Sequence, residues 1–397
     1  MSSQDREQDA ARPELGDEPA SIAPPRREPR LPKGATAAVP DRAPARRGTQ
    51  EMNFMDNVEQ DRSQPFGLDI GTSRIVVARN VGRKDQFEAE LNAFITLPYS
   101  ELTEGLLVRE EVFYEVAGSE FIVAGDDQQK FAEIFHVETR RPMVNGALNR
   151  AEPHSLGVIR RIIGKLVGKA GTPGQKVRFS VPAPLAETGK EAAYHHELLF
   201  KELLAELGYD AKPIDEGLAV VCGELGSSNY TGFGISFGSG LCNACLAVLS
   251  IPVMSFSVLK AGDYIDRQAA TATGESATRL RVHKEQSFQL NGFTGDRVDN
   301  VLTVYYDDVI LSLTDSLRAM LSSAQRPKME QSIPLVIAGG TSMPKGFLDR
   351  FEKALRTSEF PLQLSEIRLS SDPLNSTARG ALVAALSEQV HAKAVSA

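Results

Sequence analysis

The stretch Phe66-Gly-Leu-Asp-Ile-Gly-Thr-Ser-Arg-Ile-Val-Val-Ala78 decides how the rest of the chain is read. Its apolar runs of β-formers flank a Gly-bearing tip, which predicts two strands joined by a tight turn rather than a strand feeding a helix. A Gly turn at a hairpin tip exposes backbone N–H groups to a phosphate, and Asp69 stands where a carboxylate can hold a hydrated Mg²⁺ beside it. The pattern recurs in Phe233-Gly-Ile-Ser-Phe-Gly-Ser-Gly-Leu-Cys-Asn-Ala-Cys-Leu-Ala-Val-Leu249, again strand, Gly turn and strand. Two copies of a hairpin-led unit imply two similar domains facing each other, with the turns Gly71-Thr72-Ser73 and Gly238-Ser239-Gly240 meeting between them. A third Gly cluster, Gly339-Gly340-Thr341, follows the apolar strand around Val336 and precedes a helix from Phe347 to Leu355. Its small residues let a backbone approach a flat adenosine group closely.

Between these landmarks strands and helices alternate. Phe121–Ala124 and Lys176–Val181 read as strands. Ile159, Ile162, Ile163 and Leu166 recur at helical spacing in an amphipathic helix from Leu156 to Lys169, and a second helix spans about Glu187 to Leu207. The expected class is α/β, with domain I over residues 64–211, domain II over 212–376, and a closing helix within 377–390 returning to domain I.

Residues 1–63 differ in kind. Pro13, Pro19, Pro24, Pro25, Pro29, Pro32, Pro40 and Pro44 interrupt a mixed-charge stretch with no aromatic before Phe54. Such a segment buries too little apolar surface to offset its chain entropy, so a disordered Pro/Arg-rich tail is expected. At 397 residues, 42% hydrophobic and 24% charged, the remainder is ample for two buried cores. A net charge of −8 argues against nucleic acid as a partner, since neutralising phosphates takes a surplus of Lys and Arg. Cys222, Cys242 and Cys245 sit among apolar neighbours and read as buried thiols; the C-x-x-C of Cys242 and Cys245 lacks the second ligand pair of a zinc site. The polar, Pro-rich start is unlike a signal peptide and no run approaches a membrane span, so a cytoplasmic location without a transmembrane segment is expected.

Taken together, the motifs resemble the superfamily of actin, sugar kinases and seventy-kilodalton heat-shock proteins. Leu68-Asp-Ile-Gly-Thr resembles its phosphate-1 motif, Asp215-Glu216-Gly-Leu-Ala-Val its connect-1, Ile235-Ser-Phe-Gly-Ser-Gly its phosphate-2 and Ile337-Ala-Gly-Gly-Thr its adenosine motif. Within that group the chain is most similar to the MreB-like bacterial actins. Arg141-Pro-Met-Val-Asn-Gly-Ala-Leu148 resembles an ARPMKDGVI stretch, Phe179-Ser-Val-Pro182 a strand ending in proline, and Lys260-Ala-Gly262-Asp263-Tyr-Ile-Asp266 a GGDxxD. Gly274-Glu275 to Lys284-Glu285 resembles the nucleotide-edge helix, and Asp372-Pro-Leu to Gly380-Ala-Leu the closing segment.

The resemblance implies an actin-like fold around a cleft that holds ATP or ADP with Mg²⁺. It implies that Asp69 with Gly71, Thr72 and Ser73 holds the metal and β-phosphate, and that Ser236, Gly238, Ser239 and Gly240 cradle the γ-phosphate. Glu216 would orient the attacking water, and Gly339, Gly340 and Thr341 would pack on adenosine, with Gly262, Asp263, Glu275 and Arg279 or Lys284 nearby. It implies head-to-tail self-assembly into filaments, with membrane-associated partners at the inner membrane and a role in cell shape or intracellular positioning. The chain departs from the family where phosphate-2 begins: Ser236 stands in place of Asp, and Leu241 in place of Thr. A neutral hydroxyl weakens the metal shell and predicts slow hydrolysis, by roughly 30- to 1000-fold.

Three other functions fit less well. A small-molecule kinase of the superfamily needs a base beside the phosphate, for which only Asp215 and Glu216 are candidates. A chaperone of the heat-shock kind needs a β-rich peptide-binding domain after the ATPase, and the residues beyond Leu386 are too few. A catalytically silent scaffold is compatible with Ser236.

Overall fold

The computed structural model describes residues 63–186, 191–322 and 331–395. The expected tail and the first residues of the helix read from Glu187 lie outside them. In chain order the elements are strands β1 (Phe66–Ile70), β2 (Arg74–Val81), β3 (Lys84–Leu91) and β4 (Phe94–Pro98), then helix α1 (Glu101–Arg109). There follow β5 (Tyr114–Ala117), β6 (Glu120–Ala124), α2 (Asp127–Phe135), β7 (Met143–Val144), β8 (Ala147–Leu148), α3 (Ser155–Val167), β9 (Gln175–Val181), α4 (Glu191–Glu206) and β10 (Tyr209–Asp215). The second half holds α5 (Glu216–Glu224), β11 (Gly232–Phe237), β12 (Cys242–Val248), β13 (Ile251–Val258), α6 (Gly262–Thr273), α7 (Ala277–Gln286) and α8 (Arg297–Leu321). It closes with β14 (Ile333–Ala338), α9 (Phe347–Thr357), β15 (Leu364–Leu369) and α10 (Ser376–Val395).

Two five-stranded sheets organise the molecule, in the orders β10-β9-β1-β2-β3 and β13-β12-β11-β14-β15. They are copies of one plan. In each, three consecutive strands pair antiparallel (β1-β2-β3 and β11-β12-β13), and the first of the three pairs parallel with a later strand, β9 or β14. Parallel neighbours need long crossovers, and these carry the helices. The crossover from β1 to β9 contains α3, whose Val158, Ile159, Ile162, Ile163 and Leu166 are buried against Phe66, Leu68, Ile75 and Val77. The crossover from β11 to β14 contains α8, whose Leu302, Tyr306, Val309, Ile310, Leu313 and Leu317 pack on Phe233, Ile235 and Phe237. A small sheet, β4-β6-β5, has its own core of Ile95, Leu97, Phe121, Val123 and Phe131; only its strand over Phe121–Ala124 was legible beforehand.

Helices α5 and α10 cross between the two sheets, α5 against β11 and β12 and α10 against β1 and β9. The crossing is made of backbone. A Cβ on Gly380 would overlap Ala219 O, and one on Gly223 would stand 2.9 Å from Ser376 O. Further links between the halves run through Ser257 of β13, whose N–H donates to Pro184 O at 2.9 Å and whose hydroxyl donates to Ala183 O at 2.8 Å.

Two details refine the expectations. The segment from Gly274 to Glu285 is not one helix: Gly274, with φ +79°, ends α6, and Ser276 accepts from Arg279 N to start α7. Cys242 and Cys245, both free, face opposite sides of β12, as residues three apart on a strand must, and lie in different cores. Burial holds both thiols above the usual range. No helix of the described residues is long and apolar enough to cross a membrane.

Candidate functional site

The two hairpin tips share one geometry. Gly71 N–H donates to Arg74 O at 3.0 Å, and Gly238 N–H donates to Leu241 O at 3.0 Å. A Cβ on either glycine would stand 2.8 or 2.9 Å from that same carbonyl, so neither turn admits a side chain without shifting. The tips meet. A Cβ on Gly240 would overlap Thr72 Oγ1, which itself accepts from Gly146 N at 3.2 Å. The third turn, a single 3₁₀ turn over Gly340–Ser342, is bound to the second: Thr341 Oγ1 donates to Gly238 O at 2.8 Å, while Gly339 (φ +96°) lies against Phe237. Helix α6 begins against the same turn, with Gly262 N and Asp263 N donating to Gly238 O and Ser239 O at 3.2 and 2.7 Å.

Together the three turns line one cavity of about 510 Å³, within the size range of small-molecule sites. Asp69, Gly71, Thr72, Ser73, Glu216, Ser236, Gly238, Ser239, Gly240, Asp263, Gly339, Gly340 and Thr341 all line it. Gly262 stands just behind, its carbonyl accepting from Lys284 Nζ at 3.1 Å. Glu275 and Arg279 do not line it; they pair with each other at 2.7 Å on an exposed face of the α6–α7 junction. Several lining residues were given no role from sequence: Arg74, Arg281, Tyr306 and Lys345. The missed signal in α7 is its phase, because Arg281, Lys284 and Glu285 fall at i, i+3 and i+4 on the cavity side.

The floor of the cavity carries half-buried carboxyl groups. Asp69 Oδ1 accepts from Ser180 Oγ at 2.7 Å, and Glu216 Oε2 accepts from both Ser236 Oγ (3.2 Å) and Asn243 Nδ2 (2.9 Å). Burial holds Asp69 above the usual carboxylate range against the Ser180 hydrogen bond. Glu216 is raised further, first by burial and then by the neighbouring charges of Asp69 and Asp215. Desolvation pushes Asp215, the N-cap of α5, up to about 6 although the Leu218 and Gly217 N–H groups oppose the shift. At the other wall, Lys284 and Asp266 form a buried ion pair at 2.7 Å. Asp263, from the second half, pairs with Arg141 of the first at 3.3 Å.

The donor set suits a divalent cation on one side only. Asp69 offers a carboxylate, whereas the position facing it in the second hairpin offers the Ser236 hydroxyl, already turned to Glu216.

Among solved structures, the chain is similar to a MamK double-helical filament, with TM-score 0.58 and 20% identity over 80% of this chain and 97% of that one. It is likewise similar to MreB5 of Spiroplasma citri bound to AMPPNP, with TM-score 0.59 and 14% identity over 84% and 98%. At these identities the likeness concerns the fold, which is actin-like. None of the curated proteins compared with the chain matches it. A model of the Volactin family matches residues 65–385. Two copies of one hairpin-led sheet, three glycine turns on a shared cavity and a family match over nearly all the described residues place the chain in the Volactin family, with an actin-like fold.

Proposed function

We propose that the chain binds ATP and ADP in the cavity between its two halves and assembles head to tail into cytoskeletal filaments, with slow hydrolysis. The observation that carries this is the convergence of the turns at Gly71, Gly238 and Gly340 on one space. Supporting it, the chain shares its fold with a MamK filament and with MreB5 bound to AMPPNP and to ADP.

In this reading domain I spans 64–211, with the helix within 377–390 returning to it, and domain II spans 212–376. The backbone amides of Gly71–Ser73 and Gly238–Gly240 bind phosphate oxygens, and Gly339–Thr341 pack on adenosine. Asp69 would hold Mg²⁺, which would add positive charge beside the phosphates. Glu216 orients a water, and its Oε2 is fixed for that task by Ser236 and Asn243. Glu216 must be ionised before it can accept a proton, and burial with the neighbouring charges of Asp69 and Asp215 opposes that ionisation. Both that requirement and the neutral Ser236 make hydrolysis slow. The filament would act in cell shape or intracellular positioning, in the cytoplasm or peripherally at the inner membrane, through membrane-associated partners. Glu275 and Arg279 keep at most an edge role outside the cavity.

A second reading, a catalytically silent actin-like scaffold, is favoured by Ser236; a small-molecule kinase of the superfamily is a lesser one. Sedimentation with ATP, with ADP and without nucleotide separates them. The expected result is a pellet that depends on nucleotide and persists long after ATP addition. A supernatant-only protein that binds ATP would overturn the filament, and one that takes up no nucleotide would leave the silent scaffold.

A further inference from the structure

Two guanidinium groups line the cavity without a partner. Arg74 begins β2 immediately after the first Gly turn; its Nε is buried and makes no hydrogen bond, and no described residue pairs with its side chain. Arg281 lies on α7, on the other half of the molecule, and also makes no hydrogen bond or ion pair among the described residues. Its electrostatic surroundings are Arg141, Glu285, Asp266 and Asp263, and burial is the main cause that holds its proton affinity below the usual arginine range. Of the carboxylates around Arg281, Asp263 and Asp266 are already engaged, while Glu285, one turn on along α7, forms no ion pair with it. Asp263 is paired with Arg141, and Asp266 with Lys284.

Partly buried cations with no direct ion pair favour an anion that completes the site. Both stand beside the turns. Arg74 O accepts from Gly71 N, and Asp263, next to Arg281 in the electrostatics, donates its N–H to Ser239 O. An anion in that cavity has an unpaired guanidinium available from each half. Guanidinium groups bind phosphate oxygens in a bidentate fork, which a carboxylate-poor metal shell with Ser236 cannot match by charge alone.

We propose that Arg74 and Arg281 form a two-sided clamp on the phosphates, and that this clamp, rather than a divalent cation, supplies most of the charge neutralisation for binding. The clamp rests on the nucleotide reading above and adds a consequence which that reading does not contain: ATP binding survives removal of Mg²⁺.

Isothermal titration calorimetry with ATP and with inorganic tripolyphosphate, each in MgCl₂ and in EDTA, tests it on the full chain. In wild type, EDTA should weaken ATP binding by less than about 30-fold, and tripolyphosphate should bind in both buffers. Arg74→Gln and Arg281→Gln should each weaken ATP in EDTA by about 10- to 100-fold, and the double variant should lose tripolyphosphate altogether. Arg356→Gln, on an exposed face of α9, should match wild type. Melting without ligand checks folding; should Arg74→Gln fail to fold, Arg74→Lys carries the test, since it keeps the charge and loses the fork. A wild type weakened by more than about 30-fold in EDTA, or variants that bind as wild type does, overturns the clamp and leaves the nucleotide reading standing. A wild type that binds ATP in neither buffer removes both.

Discussion

The hairpins β1–β2 and β11–β12 are the same object in backbone and opposite objects in chemistry. Gly67 and Gly234 occupy equivalent places: a Cβ on the first would overlap Ala378 O and Leu382 N of α10, and one on the second would overlap Gly217 O of α5. Gly71 and Gly238 make the same turn bond at the same length. At the position two residues after the first glycine, however, one hairpin has Asp69 and the other Ser236, and after the turn one has Arg74 and the other Leu241. All the charge is on one side. The duplicated positions are those where a backbone passes too close for a side chain; the divergent ones face the cavity, where the chemistry is free to change without disturbing the fold.

The largest expected effects break what the hairpins share. Gly67→Ala and Gly234→Ala each force a Cβ into helix backbone, so each should cost about 3 kcal/mol or more, or prevent folding, as chemical denaturation would show. Equal losses at the two sites would show that the halves are mechanically equivalent. Next come changes to what they do not share. Ser236→Asp gives the second hairpin the missing carboxylate and should raise Mg²⁺-dependent phosphate release by about 10- to 1000-fold, whereas Asp69→Asn should abolish it. An unchanged rate in Ser236→Asp would separate slow hydrolysis from the metal shell.

A pH scan reads the carboxyl cluster itself. Asp69, Asp215 and Glu216 hold protons in the folded state at pH values where the unfolded chain has lost them, so stability falls as pH rises. Without nucleotide or metal, the melting temperature should decline from about pH 5 to pH 8, and Glu216→Gln should flatten the decline. A melting temperature that climbs over this range would refute the assignment. Leu241→Thr, which trades a buried side chain packed against Gly146 for a hydroxyl, should cost about 1–2 kcal/mol. Smallest is Arg279→Ala, which removes an exposed ion pair with Glu275 and should shift stability by less than about 0.5 kcal/mol.

Much of this was legible in the residues because it is local. A Gly turn between β-forming runs is a short-range signal, and two of them far apart in one chain predicted two matching sheets and a shared cavity. The small sheet β4-β6-β5 was read only at Phe121–Ala124, since β4 is a short buried apolar run without alternation and β5 is partly exposed. The boundary at Gly274 was blurred by reading a motif across a helix C-cap and the next N-cap. Arg281 escaped because its role depends on which face of α7 meets the cavity, a question settled by Leu280 and Lys284 being buried while Arg279 is exposed. The tilt of a helix is fixed by partners distant in sequence. No local pattern states it.

The contact of Gly380 with Ala219 brings the backbones of α5 and α10 together at one point, flanked by the small side chains of Cys222 and Ala381, so it acts as a fulcrum between the two helices. This fulcrum sits near one end. Ser376 and Thr377 lie about 6 Å along α10 from Gly380 on the cavity side, and the far end, Val395, about 22 Å on the other. A change of angle at the crossing therefore moves the end of the long arm roughly fourfold further than that of the short one.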